Sequence, residues 1–307
     1  MSMKILLLGK DGQVGWELQR SLAPLGELLA FGRSEADFTN PESLRALVRQ
    51  VRPDVIVNAA AYTAVDKAES DEATARTVNA LAPGVLAEEA RSLGAWLVHY
   101  STDYVFDGSK DGPWVETDPT NPVSVYGRSK LEGEERIRAS GARHLILRTS
   151  WVFAARGGNF AKTMLRLARE REQLNVVADQ FGAPTGAELL ADATALALHR
   201  IALRDADAAA LSGTYHLAAS GETSWHAYAR HVIGQARALG VVLKAGPDQV
   251  MPIAASAFPA PAPRPANSRL DCGKFRASFG LQLPDWRHHV NRLVAELASQ
   301  ESLKGTL

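Results

Sequence analysis

A single cysteine, Cys272, stands among 307 residues, so no disulfide can close within the chain, and no Cys/His cluster has the spacing of a zinc site. A reducing, cytoplasmic location is expected. Net charge is lacking too: 34 Lys and Arg balance 34 Asp and Glu, which leaves no overall field to attract nucleic acid or an anionic membrane surface. No apolar run reaches the ~20 residues that span a bilayer. Met1-Ser2-Met3-Lys4 leads into Ile5-Leu6-Leu7-Leu8, too short for a signal h-region before Gly9. Internal repeats are lacking as well. What remains is small-molecule chemistry. With 46% hydrophobic residues, the chain can bury one substantial core and a second, smaller one, at ~150 residues per domain.

The first half alternates short β-rich apolar runs with longer helical patterns, the rhythm of βαβ units around a parallel sheet. Strands are predicted at Lys4 to Leu8, Glu27 to Phe31, Asp54 to Asn58, Trp96 to Ser101 and His144 to Thr149. Helices are predicted near Val14 to Leu22, Pro41 to Val51, Glu72 to Leu93 and Val125 to Ala139. Asn40-Pro41 supplies the cap and first helical residue of the second helix. The fold class is therefore α/β, a doubly wound, Rossmann-like parallel sheet over residues 1–151, with parts of 186–217 expected to rejoin it. Residues 152–307 read mainly as a smaller α/β substrate-binding domain. That part carries a basic amphipathic helix from Ala161 to Arg171 and a turn at Gly182-Ala183-Pro184-Thr185-Gly186. Pro259, Pro261, Pro263 and Pro265 make Ala255 to Ala266 an extended segment bordering a site.

Gly9-Lys10-Asp11-Gly12-Gln13-Val14-Gly15 follows the first strand and opens the first helix. Glycines suit a turn that must be tight, let backbone approach a pyrophosphate, and pack helix on strand, with the phosphates at the positive helix end. The acidic residue that would hold the 2′-hydroxyl of NAD is missing after the second strand. Phe31-Gly32-Arg33-Ser34 stands there instead, and Arg33 can receive a 2′-phosphate, which favours NADPH with NADH as a second cofactor. Asp37-Phe38 follows, suited to adenine, although Phe38 is equally suited to a core. Asn58-Ala59-Ala60-Ala61-Tyr62-Thr63 closes the third strand with small side chains that let backbone approach a cofactor or pack against a helix.

Tyr126-Gly127-Arg128-Ser129-Lys130 places a phenol and an ammonium one helical turn apart. A nearby cation can bring a phenol of pKa ~10 into range as a proton donor. Ser101-Thr102-Asp103 ends the fourth strand at the sheet edge where open α/β folds bind ligands. The histidines have no motif partner and read as structural. Arg264, Arg269 and Lys274 are candidates to meet an anionic substrate.

These segments resemble the extended short-chain dehydrogenase/reductase family and, within it, the dTDP-4-dehydrorhamnose reductases. The resemblance also rests on Asn58 to Glu69, Ser101 to Gly108, Arg148-Thr149-Ser150-Trp151, Gly182 to Asp192 and Asn267-Ser268-Arg269-Leu270, and so spans nearly the whole chain. It implies NADPH-dependent reduction of the 4-keto group of a dTDP-4-keto-6-deoxy sugar. In that reading Tyr126 protonates the C4 oxygen, Lys130 binds the nicotinamide ribose and lowers the tyrosine pKa, and Thr102 hydrogen-bonds the same oxygen. The resemblance assigns the cofactor to Gly12, Gln13, Val14, Asp37, Phe38, Ala61, Tyr62, Thr63, Tyr100, Tyr126 and Lys130, and the sugar to Thr102, Asp103 and Trp151. It also implies a homodimer bridged by Mg2+, with Glu17, Glu188 and Glu296 at corresponding places. A nucleotide-sugar epimerase or dehydratase of the same fold, and a non-catalytic nucleotide-binding regulatory subunit, stay open as alternatives.

Overall fold

The computed structural model describes residues 3–203 and 208–304. In chain order the first half runs β1 (Met3–Leu8), α1 (Gln13–Leu22), β2 (Gly26–Phe31), α2 (Pro41–Val51), β3 (Val55–Asn58), α3 (Val65–Ala68), α4 (Glu72–Arg76), α5 (Ala82–Leu93), β4 (Trp96–Thr102), α6 (Val125–Ser140) and β5 (Arg143–Thr149). Then come β6 (Val152–Phe153), α7 (Phe160–Glu170), β7 (Leu174–Val177), β8 (Phe181–Gly182), β9 (Thr185–Gly186), α8 (Ala187–Leu203), β10 (Gly213–His216), β11 (Thr223–Ser224), α9 (Trp225–Ala238), β12 (Val250–Ile253), α10 (Gly273–Phe279) and α11 (Trp286–Lys304).

Six strands form one parallel sheet in the order β10-β5-β4-β3-β1-β2. Strand order reverses at β1, which pairs with both β2 and β3, so a crevice opens at their carboxyl ends. The apolar run that announces β1 is buried on both faces, as parallel strands require. Ile5 and Leu7 enter one core, with Leu18 and Leu22 of α1 and Leu190 of α8, while Leu6 and Leu8 enter the other, with Leu44, Val48, Leu86 and Ile137. The sheet is doubly wound.

The first core extends well past the sheet. It continues without a break through Leu165 of α7 and Tyr228 of α9 to Trp286 and Val290 of α11. The second half is thus seated on one sheet face, with only two-stranded ladders of its own, β11-β8, β12-β7 and β6-β9. The turn at residues 182–186 lies between members of two of them.

The predicted helix Glu72 to Leu93 is interrupted by a π-helical stretch, Thr77–Leu81. Pro83 explains it, since a residue without N–H cannot donate to the carbonyl of Asn79 four residues back. α6 exploits the widened turn: a Cβ on Gly133 would lie 2.1 Å from the Asn79 carbonyl oxygen. That close approach fixes the helix bearing Tyr126 and Lys130 against the rest of the fold. No helix among the described residues is long and apolar enough to cross a membrane.

Candidate active site

The crevice at the sheet's carboxyl edge is a cleft of about 760 Å³. Its floor is the glycine turn. Gly9 has φ +88°, a conformation costly for any side chain, and a Cβ there would lie 2.7 Å from the Ala60 nitrogen. Gly12 caps α1 without a side-chain hydrogen bond, which leaves the first helical N–H groups turned to the cleft. A Cβ on Gly15 would lie 2.0 Å from the Gly9 carbonyl oxygen. Gly15 therefore packs beneath the turn and, unlike Gly9, Gly12, Gln13 and Val14, does not line the cleft.

Arg33, Asp37, Phe38, Ala61, Tyr62, Thr63 and Tyr100 all line the same space. Lys10 and the Gly32 N–H both bond the Glu35 carboxylate, which shapes the loop presenting Arg33. Phe38 is buried in the second core and also lines the cleft. Tyr62 is held by Asn79, whose amide bonds both its N–H and its carbonyl, and by Asp71 at its hydroxyl. A turn that only glycine fits, exposed helix N–H groups and a rim arginine suit a phosphate-bearing dinucleotide.

At the inner end stand Thr102, Asp103, Tyr126, Lys130 and Trp151. Ser124 caps α6 by accepting from the Gly127 N–H at 3.1 Å, and Glu69 accepts from Val125 N–H at 2.8 Å. These bonds start the helix that brings Tyr126 beside Thr102, whose hydroxyl works to lower the phenol. Burial nevertheless pushes the Tyr126 hydroxyl up to about 12, against the help of Thr102 and with Asp103 adding to the rise. Lys130 is not among the influences on it. Its ammonium position is instead 2.6 Å from the Tyr100 carbonyl oxygen and 3.2 Å from His99 Nε2, and burial brings Lys130 down to about 8.

Asp103 is 2% exposed. Burial raises its carboxyl to about 6 against hydrogen bonds from Ser268 and Thr102, and its Oδ2 has no partner among the described residues. A buried orphan acceptor facing a cleft is what a sugar hydroxyl satisfies. Trp151 adopts φ +50°, rare outside glycine. Its ring stacks on Trp225 at 3.5 Å, and a Cβ on Gly182 would lie 2.7 Å from it.

Three cations expected to meet an anionic substrate are already engaged. Arg264 makes a bidentate pair with Asp66, Arg269 bonds Glu222 and the Asn267 side chain, and Lys274 bonds the Thr214 carbonyl. Glu17, Glu188 and Glu296 do share a second pocket of about 310 Å³. Burial and the charges of Glu188 and Glu296 raise Glu17, yet Arg20 approaches Glu17 and Arg292 takes Glu188. No cluster of three His, Cys, Asp or Glu among the described residues is placed to hold a metal. These carboxylates do not fit a Mg2+ site within one chain.

The sequence gives no sign of the surroundings of two histidines. His99 is fully buried between Asn58 and Lys130, and His289 is half-buried against Gly186 in the second pocket. Also unforeseen is the buried pair of Glu134 and Arg148, which accepts Ser101 as a third member. A carboxylate one turn beyond Lys130 was its only sequence signal.

Comparison with known proteins agrees with this geometry. The family model described as RmlD substrate binding domain matches residues 3–299. The dTDP-4-dehydrorhamnose reductase of Escherichia coli K12 is 56% identical over 299 residues, covering 96% of this chain and 98% of that one. That of Burkholderia thailandensis is 53% identical, covering 97% and 100%. The crystal structure of dTDP-4-dehydrorhamnose reductase from Bacillus anthracis in complex with NADP superposes with a TM-score of 0.85 at 34% identity, covering 96% of this chain and all of that one. The chain belongs to the RmlD substrate-binding-domain family.

Proposed function

We propose that this chain catalyses the NADPH-dependent reduction of the 4-keto group of dTDP-6-deoxy-L-lyxo-4-hexulose to give dTDP-L-rhamnose. The observation that carries the reading is the convergence, in one cleft, of the Thr102 and Tyr126 hydroxyls with the unpartnered Asp103 Oδ2, beside a glycine turn fit for pyrophosphate. The names of the Escherichia coli and Burkholderia relatives, and the NADP in the Bacillus structure, support the same substrate and cofactor.

Gly9, Gly12, Gln13 and Val14 would hold the pyrophosphate, Arg33 the 2′-phosphate, and Ala61 to Thr63 with Lys130 the nicotinamide half. When bound, the dinucleotide supplies hydride to C4. The protein's own part is to hold the carbonyl oxygen between the Thr102 and Tyr126 hydroxyls and to give it a proton from Tyr126. A phenol held near 12 stays protonated at neutral pH, and the alkoxide forming at C4 is a stronger base, so the proton moves toward substrate. Asp103 and Trp151 would orient the ring. Tyr104 follows Asp103 and lies edge-on to Tyr126 at 5.5 Å, which puts an aromatic ring where a dehydratase would carry a second acid.

NADPH oxidation with the 4-keto sugar, with product followed by NMR beside Tyr126→Phe, tests the assignment. Stoichiometric NADPH consumption and loss of turnover in the variant are expected. Retained activity in Tyr126→Phe would remove the proton donor, and turnover without net NADPH oxidation would instead indicate an epimerase or dehydratase. A homodimer and a cytoplasmic setting belong to the same reading. Sedimentation with and without chelator tests a bridging metal, which an unchanged mass would remove.

A further inference from the structure

Lys130, 1% exposed, sits at the end of a chain of buried hydrogen bonds that begins in the cofactor cradle. The Ala60 N–H, which can only donate, lies 3.1 Å from Asn58 Oδ1. That contact orients the Asn58 amide, and its Nδ2, again only a donor, faces His99 Nδ1 at 3.0 Å. His99 Nδ1 must then accept. A neutral imidazole with an accepting Nδ1 carries its proton on Nε2, and Nε2 lies 3.2 Å from Lys130 Nζ. An ammonium has no lone pair to receive that proton, whereas an amine has one. Register supports the arrangement, because Asn58 and His99 are paired across β3 and β4.

We propose that Asn58 and His99 are positioning residues that present an N–H, not a lone pair, to Lys130 and so favour its neutral amine in the free protein. The proposal stands on donor directions alone. It touches the proposed reduction only through Lys130's place in the cleft.

The electrostatic surroundings act in the same sense. Burial, against the opposing charge of Glu134, brings Lys130 down to about 8, and a hydrogen bond to the neutral form acts in the same direction. Charged and titratable neighbours are few. On α6, Glu134 raises Lys130 but is itself bonded to Arg148 of β5 and to Arg138, and Tyr126 stays protonated. After β4, Asp103 is raised to about 6. β3 and the Thr77–Leu81 stretch bring no ionisable side chain to the helix. His99 cannot provide a second positive charge, since burial and Lys130 hold its pKa far below the ordinary value. If Lys130 is protonated, His99 must move its proton to Nδ1 and Asn58 must turn its amide, breaking the bond to Ala60. The proton on Lys130 and the backbone of the cradle are thereby coupled.

The test is spectroscopic and needs no turnover. Long-range 1H–15N spectra of the full-length protein, with His99 assigned by comparison with His99→Gln, report which ring nitrogen carries the proton. Nε2–H with an unprotonated Nδ1 is expected between about pH 7.5 and 8.5, where the Lys130 amine is populated. Nδ1–H or imidazolium across that interval overturns the proposal. The Lys130 side-chain carbon shift gives the second readout. In His99→Leu its titration midpoint should rise by about one pH unit, the worth of one net hydrogen bond. An unmoved midpoint in a folded variant also overturns it. Should His99→Leu not fold, the wild-type tautomer decides alone.

Discussion

Replacing Arg148 by Met isolates what holds the catalytic helix to the sheet. Arg148 is 3% exposed and Glu134 is fully buried. The guanidinium grips the carboxylate at 2.8 and 2.6 Å, Ser101 donates to it at 2.6 Å, and Arg138 reaches it from the half-exposed side at 3.0 Å. The methionine keeps most of the volume but leaves a buried carboxylate with one hydroxyl and one solvent-screened cation. Breaking such a pair from one side costs about 3–5 kcal/mol, a fall in melting midpoint of about 6–10 °C at roughly 2 °C per kcal/mol. The pH dependence carries the sharper signature. In the native protein Arg148 holds Glu134 below its usual value although burial, the largest influence, opposes it. That contribution is present above the unfolded pKa and is lost as pH falls through the folded one. In Arg148→Met burial prevails and the folded pKa is raised, so stability is highest below about 4.5 and declines as pH rises through the raised value. The deficit of the variant should therefore widen between pH 4 and 7 when thermal unfolding is followed by circular dichroism. A second change, Glu134→Leu on top of Arg148→Met, should recover at least half of it. A deficit under about 1 kcal/mol, or one independent of pH, would refute the reasoning.

Arg33→Ala should raise the Michaelis constant for NADPH by about 10- to 100-fold, the range of one charge-assisted contact, and leave that for NADH nearly unchanged; equal effects on both cofactors remove the 2′-phosphate contact. Asp103→Asn should abolish a slope in stability between about pH 4 and 6. The raised carboxyl takes up a proton on folding there, worth about 3 kcal/mol, and an unaltered urea-unfolding profile would sink this. Gly182→Ala should push the Trp151 ring aside and raise the Michaelis constant of the sugar about tenfold, from ~1–3 kcal/mol of overpacking. NADP+ affinity should stay the same; if both or neither move, Trp151 does not contact the sugar.

What the sequence disclosed follows locality. Strands buried on both faces read as apolar runs, so β1 to β5 were legible within a residue or two, as was the turn in which a Cβ on Gly9 or Gly15 would meet backbone at under 3 Å. β10 was hidden because Gly-Thr-Tyr-His has neither an apolar run nor a clean alternation; its place comes from pairing with β5. The Tyr126–Lys130 spacing was visible, yet its electrostatic meaning was not. A four-residue interval says that two side chains share a helix face, and nothing about the Tyr100 carbonyl and His99 that β4 brings to the lysine.

The same distinction bears on the side chains proposed to select the substrate. Hydride and proton transfer need groups that short motifs hold together, and those sit at strand ends and the first turn of a helix. Selection draws on elements far apart in the chain. Trp151 is pinned by Gly182 and Trp225, the Asp103 carboxyl is lowered by Ser268 against its burial, and the proline-rich segment is tied to the first half by Arg264 and Asp66. Arg264 thus fixes where that segment lies against the first half, and its charge is already paired with Asp66. In the proposed reading such a cleft would take its affinity for the sugar from hydrogen bonding and shape rather than from a cluster of cations. The absence of a net field in the chain and the orphan acceptor on Asp103 are two aspects of that one design.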